Sequence, residues 1–187
     1  MFFKKKINAI FKSTRIDHNL ISNSALETQH ILKKNNYEAF IVGGAIRDIL
    51  MGFKPKDFDI ATNATPEQVR SIFPKSRIIG KRFKLVHVLY GREIIEVSTF
   101  RAKPVKTVQM SNGIVKDNEY GSIEEDAERR DFTVNALYYD IENKNLLDFY
   151  DGIKDIKNNQ LRLIGDPKIR YKEDPIRILR AIRFSAK

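Results

Sequence analysis

Cysteine and tryptophan are absent from this sequence of 187 residues, and histidine occurs only three times. Without cysteine the chain has no disulfide, no thiolate metal site and no cysteine nucleophile, which suits a reducing compartment. Three histidines also make a zinc site a poor expectation. No apolar run approaches the length of a membrane span. We therefore expect a cytoplasmic protein with no membrane partner.

Hydrophobic residues make up 42% of the chain and aromatic residues 10%, enough apolar surface for a folded core. The net charge of +10 is concentrated at the two ends. Residues 1–16 and residues 168–187 each carry +5, and basic and acidic residues balance between them. This pattern favours a polyanion such as nucleic acid as partner. Solvated helix faces and a loose terminus explain it equally well.

Helical and extended patterns alternate along the chain, which predicts an α/β fold. The last pattern is a helix that starts after Pro175 and has one apolar side, so we expect it to begin a second domain. The predicted helices cover 24–34, 45–51, 66–73, 122–129 and 176 onward, and the predicted strands cover 39–42, 58–61, 85–90, 93–100, 137–141 and 146–149.

The pair Asp57 and Asp59 carries the chemistry that the sequence indicates. Alternate residues of a strand face the same side, about 6.5 to 7 Å apart, so both carboxylates can bind Mg²⁺ together with substrate phosphates. An Asp-x-Asp alone more often marks a turn or a solvated strand edge. Here a strand that stops at Gly43-Gly44 precedes the pair, and glycines before a helix let phosphate approach the backbone closely. Glu96, between two apolar strand residues, is a candidate third carboxylate or a strand residue that faces water.

Four motifs in a fixed order resemble one known family. They are Gly-Gly-Ala-Ile-Arg-Asp at 43–48, Asp-Phe-Asp-Ile-Ala-Thr at 57–62, Arg-Arg-Asp-Phe-Thr-Val-Asn-Ala-Leu at 129–137 and Glu-Asp-Pro-Ile-Arg-Ile-Leu-Arg at 173–180. Over residues 22–187 the chain looks like the bacterial poly(A) polymerase and CCA-adding tRNA nucleotidyltransferase family, the class II branch of the polymerase-beta superfamily. Residues 78–88 are similar to a stretch that marks the poly(A) polymerases, which favours that branch.

The resemblance implies a polymerase-beta-like nucleotidyltransferase head, with a mixed sheet flanked by helices, followed by the first helix of an all-helical neck. We expect a basic N-terminal extension over residues 1–21, the head over 22–165 and a truncated start of the neck over 166–187. The implied partners are ATP and an RNA 3′ end, and the implied cofactor is Mg²⁺. The implied reaction adds AMP to the RNA and releases pyrophosphate. CCA addition to tRNA and a binding module without turnover remain as alternatives.

The resemblance also implies a role for each matching residue. Asp57 and Asp59 are the expected metal ligands, and Asp131 competes with Glu96 as the third active-site carboxylate. The triphosphate is expected at Gly43, Gly44 and Arg47, with Arg130 and Asn135 nearby. Asp174 and Arg177 are expected to read the edge of the incoming base, and Arg180 to contact the nucleotide or the primer. A solvated helix face is the alternative for these C-terminal arginines.

Overall fold

The computed structural model describes residues 10–12, 16–81, 83–102, 110–111, 114–115 and 120–186. Ten strands are assigned in this part of the chain: β1 (Ile10–Lys12), β2 (Ala39–Val42), β3 (Phe58–Thr62), β4 (Ser76–Ile79), β5 (Leu85–Tyr90), β6 (Glu93–Thr99), β7 (Met110–Ser111), β8 (Ile114–Val115), β9 (Leu137–Asp140) and β10 (Asn145–Asp148). The helices are α1 (Asn23–Lys34), α2 (Gly44–Leu50), α3 (Pro66–Ile72), α4 (Ile123–Arg129), α5 (Gly152–Lys157), α6 (Pro167–Glu173) and α7 (Ile176–Ser185).

Eight strands form one mixed sheet in the order β1-β10-β9-β2-β3-β6-β5-β4, and β7 pairs with β8 separately. Among the strands of this sheet that the structure describes, β3 and β6 are the parallel pair, and the other neighbours are antiparallel. Helices pack against the sheet, so the predicted mixed sheet with flanking helices is confirmed.

Successive side chains of each strand project to opposite faces of the sheet, and each face has its own apolar cluster. On one face, helices α1, α2, α3 and α5 cover the larger apolar cluster, which includes Leu32, Ile60 and Val97. On the other face, α4 covers a smaller cluster around Phe40 and Tyr138. Helix α4 covers β2, β9 and β10 on this face. It leaves the side chains that β4 to β6 project to the same face accessible to solvent. We call this surface the open face; its residues are Arg77, Ile79, Leu85, His87, Leu89, Ile94 and Glu96.

Local sequence signals explain where the helices begin. The Ser22 hydroxyl accepts from the Ala25 amide at 3.1 Å and caps α1. Capping boxes start α3, between Thr65 and Gln68, and α4, between Ser122 and Glu125. These caps satisfy backbone N–H groups that have no partner inside the helix. The helices predicted from residues 24, 66 and 122 are confirmed to within one residue.

The N-terminal part of the head differs from the predicted domain boundary at residue 22. Strand β1 pairs with β10 at the sheet edge, and Ile16 and Ile21 are buried in the larger apolar cluster. The sheet and its core therefore extend into the range expected as a basic extension. Residues 1–9 and 13–15, which carry most of that positive charge, lie outside the described residues.

The C-terminal helix α7 has the apolar side that the sequence predicts. Ile176, Ile178, Leu179 and Ile182 are between 47% and 67% exposed. The second domain that this side led us to expect stays a prediction. Within the described part of the chain, no helix combines the length and the apolar composition that a membrane crossing requires.

The start of α5 depends on a glycine. A Cβ atom at Gly152 would lie 2.3 Å from the carbonyl oxygen of Thr133, whereas a Cβ at Gly91 would meet nothing within 4 Å. We expect Gly152→Ala to lower the free energy of unfolding in urea by more than about 2 kcal/mol, because overpacking against backbone cannot relax. Gly91→Ala is the control, with a cost of about 1 kcal/mol for its φ of +62°. Equal losses in the two variants would contradict this account of the α5 contact.

Candidate active site

The turn between β2 and α2 brings the backbone close to two charged side chains. Gly43 has φ +72° and ψ −131°, a conformation that favours glycine. A Cβ atom at this position would lie 3.4 Å from Nη1 of Arg130 and 4.0 Å from Oδ2 of Asp59. Because Gly43 has no side chain, the Arg130 guanidinium fits beside the turn. A narrow path also remains by which a ligand can approach the backbone.

Three carboxylates lie on one side of this turn. Asp57 directly precedes β3, Asp59 is its second residue, and Glu96 on β6 is the register partner of Asp59. The pKa of Asp59 is raised to about 6, first because nearby protein atoms displace water from it and then because Glu96 and Asp57 repel its charge. Arg130 opposes this shift. Negative charge is therefore concentrated at the end of the strand pair.

These three carboxylates suit a cation whose remaining coordination positions are filled by the substrate. Among the described residues, no three histidine or acidic side chains converge tightly enough to form a metal-binding cluster by themselves. Mg²⁺ typically takes one or two carboxylates and fills its other positions with water and phosphate oxygens. The raised pKa of Asp59 indicates that its negative charge lacks full compensation from the protein. The donor set fits a magnesium ion held jointly with a triphosphate.

Arg47 on α2 is held from three sides. Its Nη1 donates to Oδ1 of Asn135 at 2.5 Å, and its Nη2 donates to Oδ1 of Asp48 at 2.7 Å. Its guanidinium lies 5.0 Å from the centre of the Phe184 ring, a cation–π distance. The side chain is 11% exposed, so its position is fixed before any ligand arrives.

Arg130 is fixed by a buried carboxylate that the sequence analysis did not single out. Asp126 is fully buried, and its Oδ2 accepts from Arg130 at 3.1 Å and from the Tyr138 hydroxyl at 2.7 Å. Its Oδ1 accepts from Arg129 at 2.7 Å. Although burial opposes ionisation, the two arginines outweigh it and hold the pKa of Asp126 below its usual value. We call these four side chains the Asp126 cluster.

Asp131 lines the same cleft as Asp59 and is held by groups outside β3 and β6. Its Oδ2 accepts from Nε of Arg180 at 2.6 Å, and its Oδ1 accepts from the backbone N–H of Phe132 at 2.8 Å. Among the charges that raise the pKa of Asp59, Glu96 contributes most. Through its contact with Arg180, Asp131 connects the head to α7.

The second wall of the site comes from α6 and α7. Arg177 donates from Nη1 to the Arg170 carbonyl oxygen at 2.6 Å and approaches Oε2 of Glu173 at 3.3 Å. Arg170 is 7% exposed and donates to the carbonyl oxygens of Arg129 and Arg130, which anchors α6 to the head. Asp174 accepts from the Ile176 amide at 3.1 Å in the link between the helices. The C-terminal arginines are therefore held in defined contacts.

A cleft of about 570 Å³ separates the two walls. Ten of the twelve residues predicted for the site line it: Gly43, Gly44, Arg47, Asp59, Arg130, Asp131, Asn135, Asp174, Arg177 and Arg180. Asp57 and Glu96 do not line it: Asp57 directly precedes β3, and Glu96 pairs with Asp59 on the sheet. The cleft also contains Arg129, Arg183 and Phe184, which sequence reasoning did not assign.

Asp126 and Arg170 are the functional-site supports that sequence reasoning missed. Asp126 precedes two arginines by three and four residues on a helix, a spacing that brings the charges together and was available in the sequence. Arg170 gave no such signal, because its partners are carbonyl oxygens about forty residues away in the chain.

A family model supplies the decisive comparison. Residues 39–162 match the model of the poly A polymerase head domain. The chain belongs to this family. The resemblance found in the four motifs is thereby confirmed, including its polymerase head fold.

Known relatives carry two different names. Poly(A) polymerase I of Haemophilus influenzae is 54% identical over 174 residues, which cover 89% of this chain and 38% of the relative. The CCA-adding enzyme of Bacillus licheniformis is 40% identical over 161 residues, which cover 86% of this chain and 40% of the relative. This chain spans about two fifths of the length of these relatives.

A solved structure shares the fold. The crystal structure of the Bacillus stearothermophilus CCA-adding enzyme in complex with CTP matches with a TM-score of 0.75 and 38% identity. The match covers 86% of this chain and 38% of that structure. The matched part is again a fraction of a longer protein.

Removing the charge of Asp126 should destabilise the head. In Asp126→Asn, two arginines lose their buried partner, so we expect the free energy of unfolding to fall by about 3 kcal/mol. Glu124→Gln changes the same charge on the same helix outside the Asp126 cluster and should cost less than about 0.5 kcal/mol. Urea denaturation measures both. A loss in Asp126→Asn no larger than in this control would show that the Asp126 cluster does not stabilise the fold.

The raised pKa of Asp59 predicts a pH-dependent stability. The folded state holds the Asp59 proton more tightly than the unfolded state, whose pKa is near 3.8, so stability falls as the pH rises from 3.8 through about 6. We expect Asp59→Asn to be more stable than the unsubstituted protein above pH 6 and to lose this advantage below pH 3.8. Urea denaturation in metal-free buffer, with the exposed Glu27→Gln as control, measures the difference. A difference that does not vary with pH would contradict the shift.

Proposed function

We propose that this chain is the catalytic head of a template-independent polynucleotide adenylyltransferase, which transfers AMP from ATP to an RNA 3′ end and releases pyrophosphate. The observation that carries the proposal is the cleft itself. Asp59 lies at one wall, with Asp57 and Glu96 beside it, and fixed arginines from α2 and α7 line the rest. Such a site combines carboxylates for a cation with guanidinium groups for phosphates.

Asp57 and Asp59 are the residues that would hold Mg²⁺, with Glu96 beside them as the candidate third carboxylate. When bound, the ion neutralises the triphosphate and stabilises the attacking and leaving oxygens of an in-line displacement. The narrow approach at Gly43 and the following Gly44 admits phosphate close to the backbone, and Arg47 is already oriented toward the same cleft. The fixed position of Arg47 avoids an ordering cost when the nucleotide binds.

We assign two roles to the wall formed by α6 and α7. It selects the nucleotide, and its polar contacts link it to the head. We assign Asp174 and Arg177 to the base edge, since a carboxylate and a guanidinium offer both acceptors and donors. Arg180 lines the cleft beside Asp131, to which it donates, and contacts the nucleotide or the primer. In the transfer step, the RNA 3′ oxygen bonds to the α-phosphorus and the bond from that phosphorus to the bridging oxygen breaks. The hydroxyl proton goes to solvent and pyrophosphate leaves.

CCA addition to tRNA is the second candidate. A CCA-adding enzyme is 40% identical to this chain, and the structural match was determined in complex with CTP. Adenylyl transfer is supported better, because the poly(A) polymerase relative reaches 54% identity over a similar length. A nucleotide-binding module without turnover is the third candidate.

A primer-extension assay separates the three candidates. Purified protein is incubated with a short RNA, Mg²⁺ and each nucleoside triphosphate in turn. We expect a ladder with ATP alone, and we expect Asp59→Ala to lower its rate by at least about a hundredfold, because the metal-binding carboxylate is lost. Glu27→Ala changes an exposed residue of α1 and is the matched control. We expect this variant to extend the RNA at the normal rate.

Addition of a few nucleotides only when CTP and ATP are supplied together would favour the CCA-adding function. Absence of extension under all conditions would favour the binding module. Full activity in Asp59→Ala, verified to be folded by thermal melting, would overturn the metal assignment.

A further inference from the structure

We propose that the open face of β4 to β6 binds the 3′-terminal nucleotides of the RNA substrate. This inference rests on the proposed function, because it places the second substrate of that reaction. The binding surface begins at Glu96 and ends at the sheet edge, where Arg77 lies. Its residues take no part in the nucleotide cleft.

One row of paired residues connects the cleft to the edge of the sheet. Asp59 pairs with Glu96, Glu96 with His87, and His87 with Arg77. Register partners on neighbouring strands project to the same face, and three strand spacings cover about 14 Å. The row therefore runs from the carboxylates to a cation over about the length of two nucleotides of an RNA strand.

The geometry of in-line displacement points to this row. Attacking and leaving oxygens lie on opposite sides of the α-phosphorus. The residues assigned to the triphosphate and base line the cleft on one side of Asp59. The attacking 3′-hydroxyl must then approach from the other side, where Glu96 and the open face lie.

Within the described residues, no helix packs over the apolar surface of the open face. Ile94 is 45% exposed and pairs with Leu89, and Ile79 is 41% exposed and pairs with Leu85. These two apolar pairs flank His87 on either side. Clustered exposed apolar side chains on a folded domain usually mark a binding surface. Here they offer contact area to the riboses and bases of a single strand.

The charge of the edge suits the phosphates of the same strand. Lys75, Arg77 and Lys81 are exposed on β4 and at its two ends. The carboxylates lie at the opposite end of the row, so the positive charge is separated from the proposed Mg²⁺ site. A strand whose 3′-hydroxyl lies at Glu96 has its preceding phosphates toward this cationic edge.

His87 occupies the middle of the row. Its Nε2 lies 3.5 Å from Oε1 of Glu96, and its side chain is 27% exposed. From this place it contacts both the carboxylate and the surface on which the terminal nucleotide lies.

Photochemical crosslinking tests the location without requiring turnover. A short RNA with thiouridine as its last nucleotide is irradiated with the full chain, and the crosslinked peptides are identified by mass spectrometry. We expect the crosslinks within residues 76–98. Crosslinks confined to α7 or to the helix-covered face, or an RNA that does not bind at all, would overturn the inference.

Matched variants test the energetics. Arg77→Ala removes one cation from the open face, and Lys34→Ala removes an exposed cation from α1 on the opposite face. We expect the RNA dissociation constant to rise about fivefold in Arg77→Ala at about 0.1 M salt, with a smaller salt slope, because one phosphate contact is lost. ATP affinity should stay unchanged in both variants. Equal RNA affinity in both would contradict the inference.

The outcomes distinguish this inference from the proposed function. Crosslinks on the open face without nucleotide addition would contradict the proposed adenylyltransferase activity but not the RNA surface. ATP addition with crosslinks elsewhere would contradict the RNA surface alone.

Discussion

The buried ionisation of Asp126 is the constraint on which the site depends. A carboxylate without water costs several kcal/mol unless charged partners surround it, and here two arginines and a tyrosine hydroxyl do so. The same contacts leave Arg130 no freedom to move, and Arg130 lies against the Gly43 turn, where its charge acts on the Asp59 carboxylate. The stability of the head and the placement of one wall of the cleft thus come from a single group of side chains.

The two walls of the cleft are held by different kinds of interaction. The strands that carry Asp59 and Glu96 have a continuous apolar core behind them. Helix α7 reaches the head through polar and aromatic contacts: Arg180 with Asp131, and Phe184 with Phe132 and Arg47. Repulsion among the carboxylates therefore occurs on the rigid wall, where the core maintains their spacing. Arg177 and Arg180 belong to the wall with fewer buried contacts.

Much of the fold and site was predictable because the signals were local. The Gly43 turn, the Asp-x-Asp pair and the capped helices each lie within a few consecutive residues. Strand β4 was missed because it is an edge strand with only its first residue, Ser76, buried, so it shows no alternation. The partners of Asp131 and Arg170 were also hidden, since both depend on contacts about forty or more residues away. Long-range polar contacts leave no periodic pattern in a sequence.

The parallel pairing of β3 with β6 has a consequence for the order of folding. Asp59 and Glu96 are 37 residues apart in the chain, and α3, β4 and β5 lie between them. Closing such a loop costs chain entropy before any contact compensates for it, so non-local pairings of this kind form slowly. The carboxylates repel one another as they meet, which adds to this cost. The two carboxylates are therefore brought together by a non-local step, although the β2–β9 and β1–β10 pairings join residues still further apart in the chain.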